Sequence, residues 1–113
     1  PIPTATAPPL DEIAVEITNV LGYGELEREM VVLYNRGPGV NLSGWMLTGS
    51  PVGDYTFPNL FLWNGGSVRV HTADGANTPT DLYWGATEPH WFSGNTVVLK
   101  NARGEVLSRY RIP

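Results

Sequence analysis

The residues able to carry chemistry in this chain are few, and their spacing assembles no reaction. Histidine occurs twice, at His71 and His90. A histidine acting as general base needs a substrate proton within hydrogen-bond reach and a partner that orients its ring. Neither histidine stands in such a motif. His71 follows Val70 at the opposite parity and reads as a solvated strand residue, while His90 follows Pro89 in a loop. No phosphate-cradling P-loop, no Gly-x-Ser-x-Gly elbow and no His-x-x-x-His pair occurs. Cysteine is absent, which removes disulfides and thiolate metal sites. The one oxygen-rich set is Asp74, Asn77 and Asp81. Calcium takes about six to eight oxygens, and here the acids are few and the spacing is not that of an EF-hand. Ordinary turn and Asx roles are expected for these three side chains instead. The expectation is a domain that is not an enzyme and uses no metal or cofactor.

Aromatic side chains are the other candidates. The chain has four tryptophans, and each buries about 150–250 Å² when packed. Trp45 shares parity with Leu47, and Trp84 with Leu82, so both tryptophans are expected in the core. Leu42 has the other parity, and it can face inward beside Trp45 only if Gly44 permits a bulge or twist. Phe61 and Trp63 alternate with Leu60 and Leu62, which suit an inner face, so the two aromatics are expected to point outward. Met30, Val32 and Tyr34 oppose the inward pair Val31 and Leu33 in the same way. The outer face of an antiparallel sheet is normally polar. An apolar outer set therefore marks a protein-binding patch unless a loop or the linker covers it. Met30, Val32, Tyr34, Phe61 and Trp63 are the candidate binding residues. A flat aromatic ring can also stack on a sugar, and Trp63, Trp91 and Tyr83 are the candidates for that alternative.

The elements that must position these groups read as strands. Residues 1–10 open with PIPTATAPP, which holds four prolines. Such a stretch is extended and packs no core, so it reads as a linker. The domain is expected over residues 11–113. Ile13, Val15 and Ile17 share one face of a first strand; Val31 and Leu33, Val68 and Val70, and Val97 and Leu99 repeat the pattern. In the last strand Val106, Tyr110 and Ile112 are expected on one side, with Arg109 and Arg111 opposite. Gly22-Tyr23-Gly24, Asn64-Gly65-Gly66, Asp74-Gly75 and Asn101-Ala102-Arg103-Gly104 supply the turns, the last of them as a hairpin. Glu25-Leu26-Glu27-Arg28-Glu29 is too short to stand alone as a helix. Strands at this spacing predict an all-β antiparallel sandwich. Its first strand is expected at an edge, where Glu12 and Glu16 discourage pairing with other chains.

Several motifs occur in a telling order: Glu29–Asn35, then Leu42-Ser43-Gly44-Trp45, Tyr55-Thr56-Phe57-Pro58, and Thr78-Pro79-Thr80-Asp81-Leu82-Tyr83-Trp84. Trp91 through Gly104-Glu105-Val106 continues the series. Together they resemble the lamin tail domain, and the Leu-Ser-Gly-Trp form resembles its bacterial branch. The resemblance covers nearly all of residues 13–112 and implies an immunoglobulin-like β-sandwich without catalytic residues. In bacteria it implies an accessory module of secreted or surface-associated proteins. Val32 stands where the family often carries a polar residue, which makes the face near Met30 and Tyr34 more apolar. These 113 residues hold no heptad rod, so filament assembly is not an expectation drawn from them.

With 113 residues, the chain suits one domain that buries about 65% of its unfolded surface. The net charge is -4 and Lys100 is the single lysine, which argues against nucleic acid as a partner. Arg103, Arg109 and Arg111 read as a solvated face beside Glu105. No apolar run approaches the ~20 residues that span a bilayer, so membrane insertion by this segment is not expected. The expected function is a non-enzymatic interaction or anchoring module of a larger extracytoplasmic protein. Its partner is expected to be a protein or other domains of the same parent. Carbohydrate binding through exposed aromatics is the alternative, and an extracellular or cell-surface location is favoured. A hydrolase domain, a third reading, is opposed by the missing catalytic set.

Overall fold

The computed structural model describes residues 8–113. Most of the expected linker, residues 1–7, lies outside the described residues. A short 3-10 turn at Leu10–Glu12 precedes ten strands in the described chain. They are β1 (Val15–Leu21), β2 (Met30–Asn35), β3 (Val40–Asn41), β4 (Met46–Thr48) and β5 (Tyr55–Thr56). They continue with β6 (Phe61–Leu62), β7 (Ser67–His71), β8 (Asp81–Tyr83), β9 (Thr96–Lys100) and β10 (Val106–Arg111).

Alternation of apolar and polar positions sorts these strands into layers. One sheet has the order β1-β2-β7-β8, a second has β10-β9-β4-β5, and β3 pairs with β6 in a two-stranded ribbon. The fold is an all-β, immunoglobulin-like sandwich. Its pairs are antiparallel except at one edge, where β8 runs parallel to β7. Residues 72–80 carry the chain back along the sheet, so Arg69 pairs with Asp81 and His71 with Tyr83.

The core lies between the layers. Val31, Leu33 and Val68 from the first sheet, and Leu47, Val97 and Leu99 from the second, have no exposed surface. Burying each such side chain is worth about 1.5–3 kcal/mol. Leu42 and Trp45 are both buried despite their opposed parity. The reason is a turn: the Trp45 N–H donates to the Leu42 carbonyl at 2.9 Å, and Gly44 takes φ +79°. Glycine at the third position of such a turn avoids the Cβ clash that another residue would meet.

Two strands depart from strict alternation. The β1–β2 register shifts between Ile17 and Asn19, which lets Val15, Ile17 and Val20 all be buried. The β9–β10 register shifts between Val106 and Ser108. Val106 is consequently 40% exposed while Leu107 packs against the core. The expected common face of Val106, Tyr110 and Ile112 is corrected by this bulge, because an extra residue reverses the parity upstream of it. The hairpin at Asn101–Gly104 forms, with the Gly104 N–H donating to the Asn101 carbonyl at 3.0 Å. Glu25–Glu29 makes one turn only, closed by the Glu29 N–H donating to the Glu25 carbonyl at 2.8 Å.

The edge of β1 meets β10 of the other sheet. The Ile17 N–H donates to Ser108 Oγ at 3.0 Å, and the Tyr110 hydroxyl donates to Asn19 Oδ1 at 3.2 Å. Position 17 thus lies by 108 and position 19 by 110, so the two strands run in the same direction along this seam.

Candidate functional site

The outward face of the β3–β6 ribbon carries the most exposed aromatic surface of the described chain. Leu62 points into the core and is 4% exposed, while Phe61 is 43% and Trp63 71% exposed. Asn59 is exposed as well, and its contact with Asn41 brings it beside Phe61 and Trp63. Asn41 pairs directly with Phe61 and joins them. The two rings meet edge to face, their centroids 4.5 Å apart and their planes at 68°. Asn41 Nδ2 donates to Asn59 Oδ1 at 2.6 Å.

The ribbon is held firmly. The Phe61 ring lies over Gly39, where a Cβ would come within 2.6 Å of it. Asn35 Nδ2 donates to the Leu62 carbonyl at 3.0 Å. Asn64 Nδ2 donates to the carbonyls of Arg36 at 3.2 Å and Gly37 at 2.7 Å. Asn41 also lines an open groove of about 400 Å³, together with Leu10, Ile13, Trp45, Arg103 and Glu105.

Met30, Val32 and Tyr34 occupy another surface. They share the outer face of β2 and are half-buried. Their cross-strand neighbours are His71, Arg69 and Ser67 on β7 and Leu21, Asn19 and Glu16 on β1. The Arg36 guanidinium sits 5.2 Å above the Tyr34 ring and pairs with Glu16. Tyr34 is thereby capped by an ion pair. The five candidate residues form two sets in two different sheets: Phe61 with Trp63, and Met30 with Val32 and Tyr34.

His71 is not the solvated residue that alternation suggested. Its Nε2 lies 2.8 Å from Asp81 Oδ1, and its ring stacks on Tyr83 with centroids 4.6 Å apart. Arg69 donates to both Asp81 oxygens, at 2.7 and 2.9 Å, and Thr80 Oγ1 donates to Oδ2 at 2.8 Å. The Arg69 guanidinium, and after it His71, hold the Asp81 carboxyl well below the usual carboxylate range. The parallel pairing of β7 and β8 produces this cluster. Asn77 Oδ1 accepts the Tyr83 N–H at 2.8 Å, tying the loop to β8; Asp81, expected in a turn or Asx role, instead stands in β8 as the acceptor of this cluster. Among the described residues no group of three or more His, Asp or Glu side chains is placed to hold a metal ion.

Of the other aromatics, Tyr23 and Phe92 are each 39% exposed, while Trp84 and Trp91 pack inward. Trp91 has no exposed surface, which removes it from the sugar-stacking candidates. Trp84 is half-buried rather than fully enclosed, with ring centroids 5.4 Å from Tyr55 and 4.0 Å from His90. His90 lies in a loop, as expected, and that loop is packed down, leaving the residue 5% exposed. Burial pushes the Tyr55 hydroxyl up to about 12.

Two buried polar residues at opposite ends of β2 were absent from the candidate set. Glu29 is 1% exposed, and its carboxylate accepts backbone N–H groups from Gly24, His90 and Trp91. Asn35 has no exposed surface; besides its bond to Leu62, its Oδ1 accepts the Gly37 N–H at 2.9 Å. Both share parity with Val31 and Leu33. A polar residue on an inward parity was the available signal, since a buried polar group must find partners.

No helix among the described residues is long and apolar enough to cross a membrane. No curated protein matches the chain. A family model described as Lamin Tail Domain matches residues 10–113. With that match joined to the immunoglobulin-like sandwich and the Leu42–Trp45 turn, the chain belongs to the lamin tail domain family.

Proposed function

We propose that this domain is a non-catalytic interaction module that anchors a larger extracytoplasmic protein through the outward face of β6. Membership of the lamin tail domain family supports an immunoglobulin-like interaction module. The observation that carries the proposal is Trp63, 71% exposed on a ribbon whose backbone is pinned from both sides. Tryptophan is highly buried on average, and it is the side chain most enriched among residues that dominate binding energy. Phe61 beside it extends the apolar surface on a rigid strand. Met30, Val32 and Tyr34 form a second, weaker contact surface, since charged neighbours already cover part of it. The resemblance of the Leu42–Trp45 motif to the bacterial branch supports a secreted or surface-associated setting.

The test places a photo-reactive amino acid at position 63 of the intact parent protein in its own cells, with position 109 as control. Adducts at 63 in clear excess over 109 support the contact face. Equal yields at the two positions reject it.

A further inference from the structure

We infer that the face formed by Asn41, Asn59, Phe61 and Trp63 binds a neutral carbohydrate chain. This rests on the reading of that face as the contact surface, and it names the ligand class. The composition of the face points to that class. It presents two aromatic rings and two amides, and no charged side chain stands among the four. A phosphate-rich ligand would need cations at the contact. A protein hot spot typically adds arginine to its aromatics. A pyranose ring instead offers apolar C–H faces and a rim of hydroxyls, which suit a ring platform bordered by amides.

The amides retain capacity for such hydroxyls. Each asparagine has two N–H donors and a carbonyl acceptor. Asn41 Nδ2 gives one donor to Asn59 Oδ1, and Asn41 Oδ1 accepts the Ser43 N–H at 2.8 Å. Both Asn59 donors and the second Asn41 donor are uncommitted among the described residues. The mutual bond fixes the two amides in place, so little side-chain freedom is lost when a ligand arrives.

The layout suits a chain rather than a single sugar. Asn59, Phe61 and Trp63 stand side by side at the β3–β6 ribbon, with Asn41 across from Phe61. Asn41 also lines the neighbouring groove of about 400 Å³, with Trp45, Asn101, Arg103 and Glu105, and its polar groups offer a continuation for a longer oligomer. Phe61 meets Trp63 edge to face and packs over Gly39, so Trp63, 71% exposed, is the ring open to stacking and Phe61 braces it before binding.

The experiment titrates the domain with cellohexaose, chitohexaose, maltohexaose and mannohexaose, following tryptophan fluorescence and heat. Binding of at least one, with Kd at or below ~1 mM, is expected. Trp63→Ala and Asn59→Ala should each weaken it about tenfold or more, which is 1.4 kcal/mol, while Trp63→Phe retains part of the affinity and Arg109→Ala all of it. Circular dichroism and thermal unfolding of each variant establish that the fold is kept. No saturable binding to any of the four by the folded wild type overturns the inference, as does binding that survives Trp63→Ala. A protein adduct at position 63 in cells, with no sugar bound in vitro, overturns the carbohydrate while leaving the contact face standing. Equal cross-linking at 63 and 109 removes the face itself.

Discussion

The Glu29 carboxylate accepts the backbone N–H of His90 at 2.6 Å, across 61 residues of sequence. The same oxygen accepts the Trp91 N–H at 3.2 Å, and the other oxygen accepts the Gly24 N–H at 3.0 Å. One buried side chain therefore joins the loop after β1 to the segment before β9. Replacing it with alanine leaves three donors without that acceptor. Glu29→Ala should lower stability by ~3 kcal/mol, read from denaturant unfolding. Glu29→Gln should fall between the two, because an amide can accept on one side only. A Glu29→Ala variant as stable as wild type would show that the bonds are not formed in solution.

The two classes of tryptophan should respond in opposite ways. Trp45 is 4% exposed and Trp63 is 71% exposed. Trp45→Ala opens a cavity and should cost ~3–5 kcal/mol. Trp63→Ala removes no core contact and should change stability by less than ~0.5 kcal/mol. Matched denaturation curves check both. A large loss from Trp63→Ala would place that ring in the core.

Acid should weaken one sheet edge. Asp81 titrates lower in the folded protein because Arg69, then His71, bond its charged form. Its contribution is full above the ordinary aspartate value of about 4 and drains away as pH falls below it. Asp81→Asn should cost at most ~1 kcal/mol at neutral pH, since the cluster is partly solvated. The gap between wild type and variant should narrow steadily below about pH 4. A gap independent of pH would remove the ion pair as its cause.

Alkali should act through Tyr55, whose hydroxyl burial raises to about 12. The folded protein favours the neutral phenol, so this contribution is complete below the ordinary tyrosine value of about 10. It is lost as pH climbs from there towards 12. Following phenolate absorbance, the last of the five tyrosines should ionise near 12 or on unfolding. Tyr55→Phe should remove that last step and soften the alkaline fall in stability.

Much of the fold is legible in the alternation of residues. Val31 and Leu33, Val68 and Val70, and Val97 and Leu99 lie where period-two reading puts them, each at most 1% exposed. The outward position of Phe61 and Trp63 follows from Leu60 and Leu62. What local pattern does not carry is long-range. The bulge near Leu107 depends on packing between strands, so Val106 was misplaced. The parallel return of β8 sets His71 against Asp81, and no local motif announces that neighbour. His90 and Trp91 are buried because a glutamate far upstream receives their amides. Of the site, the aromatic pair was visible in sequence. Its amide companions were not, because Asn41 reaches Phe61 only by cross-strand pairing.

The co-directional meeting of β1 and β10 has a mechanical consequence. Because position 17 lies by 108 and 19 by 110, tension at the two ends of the chain pulls these strands lengthwise past one another. The Ser108 and Tyr110 bonds then resist in shear, together, rather than parting one at a time like a zip. A seam of this geometry yields to a lengthwise pull only when both bonds give way at once.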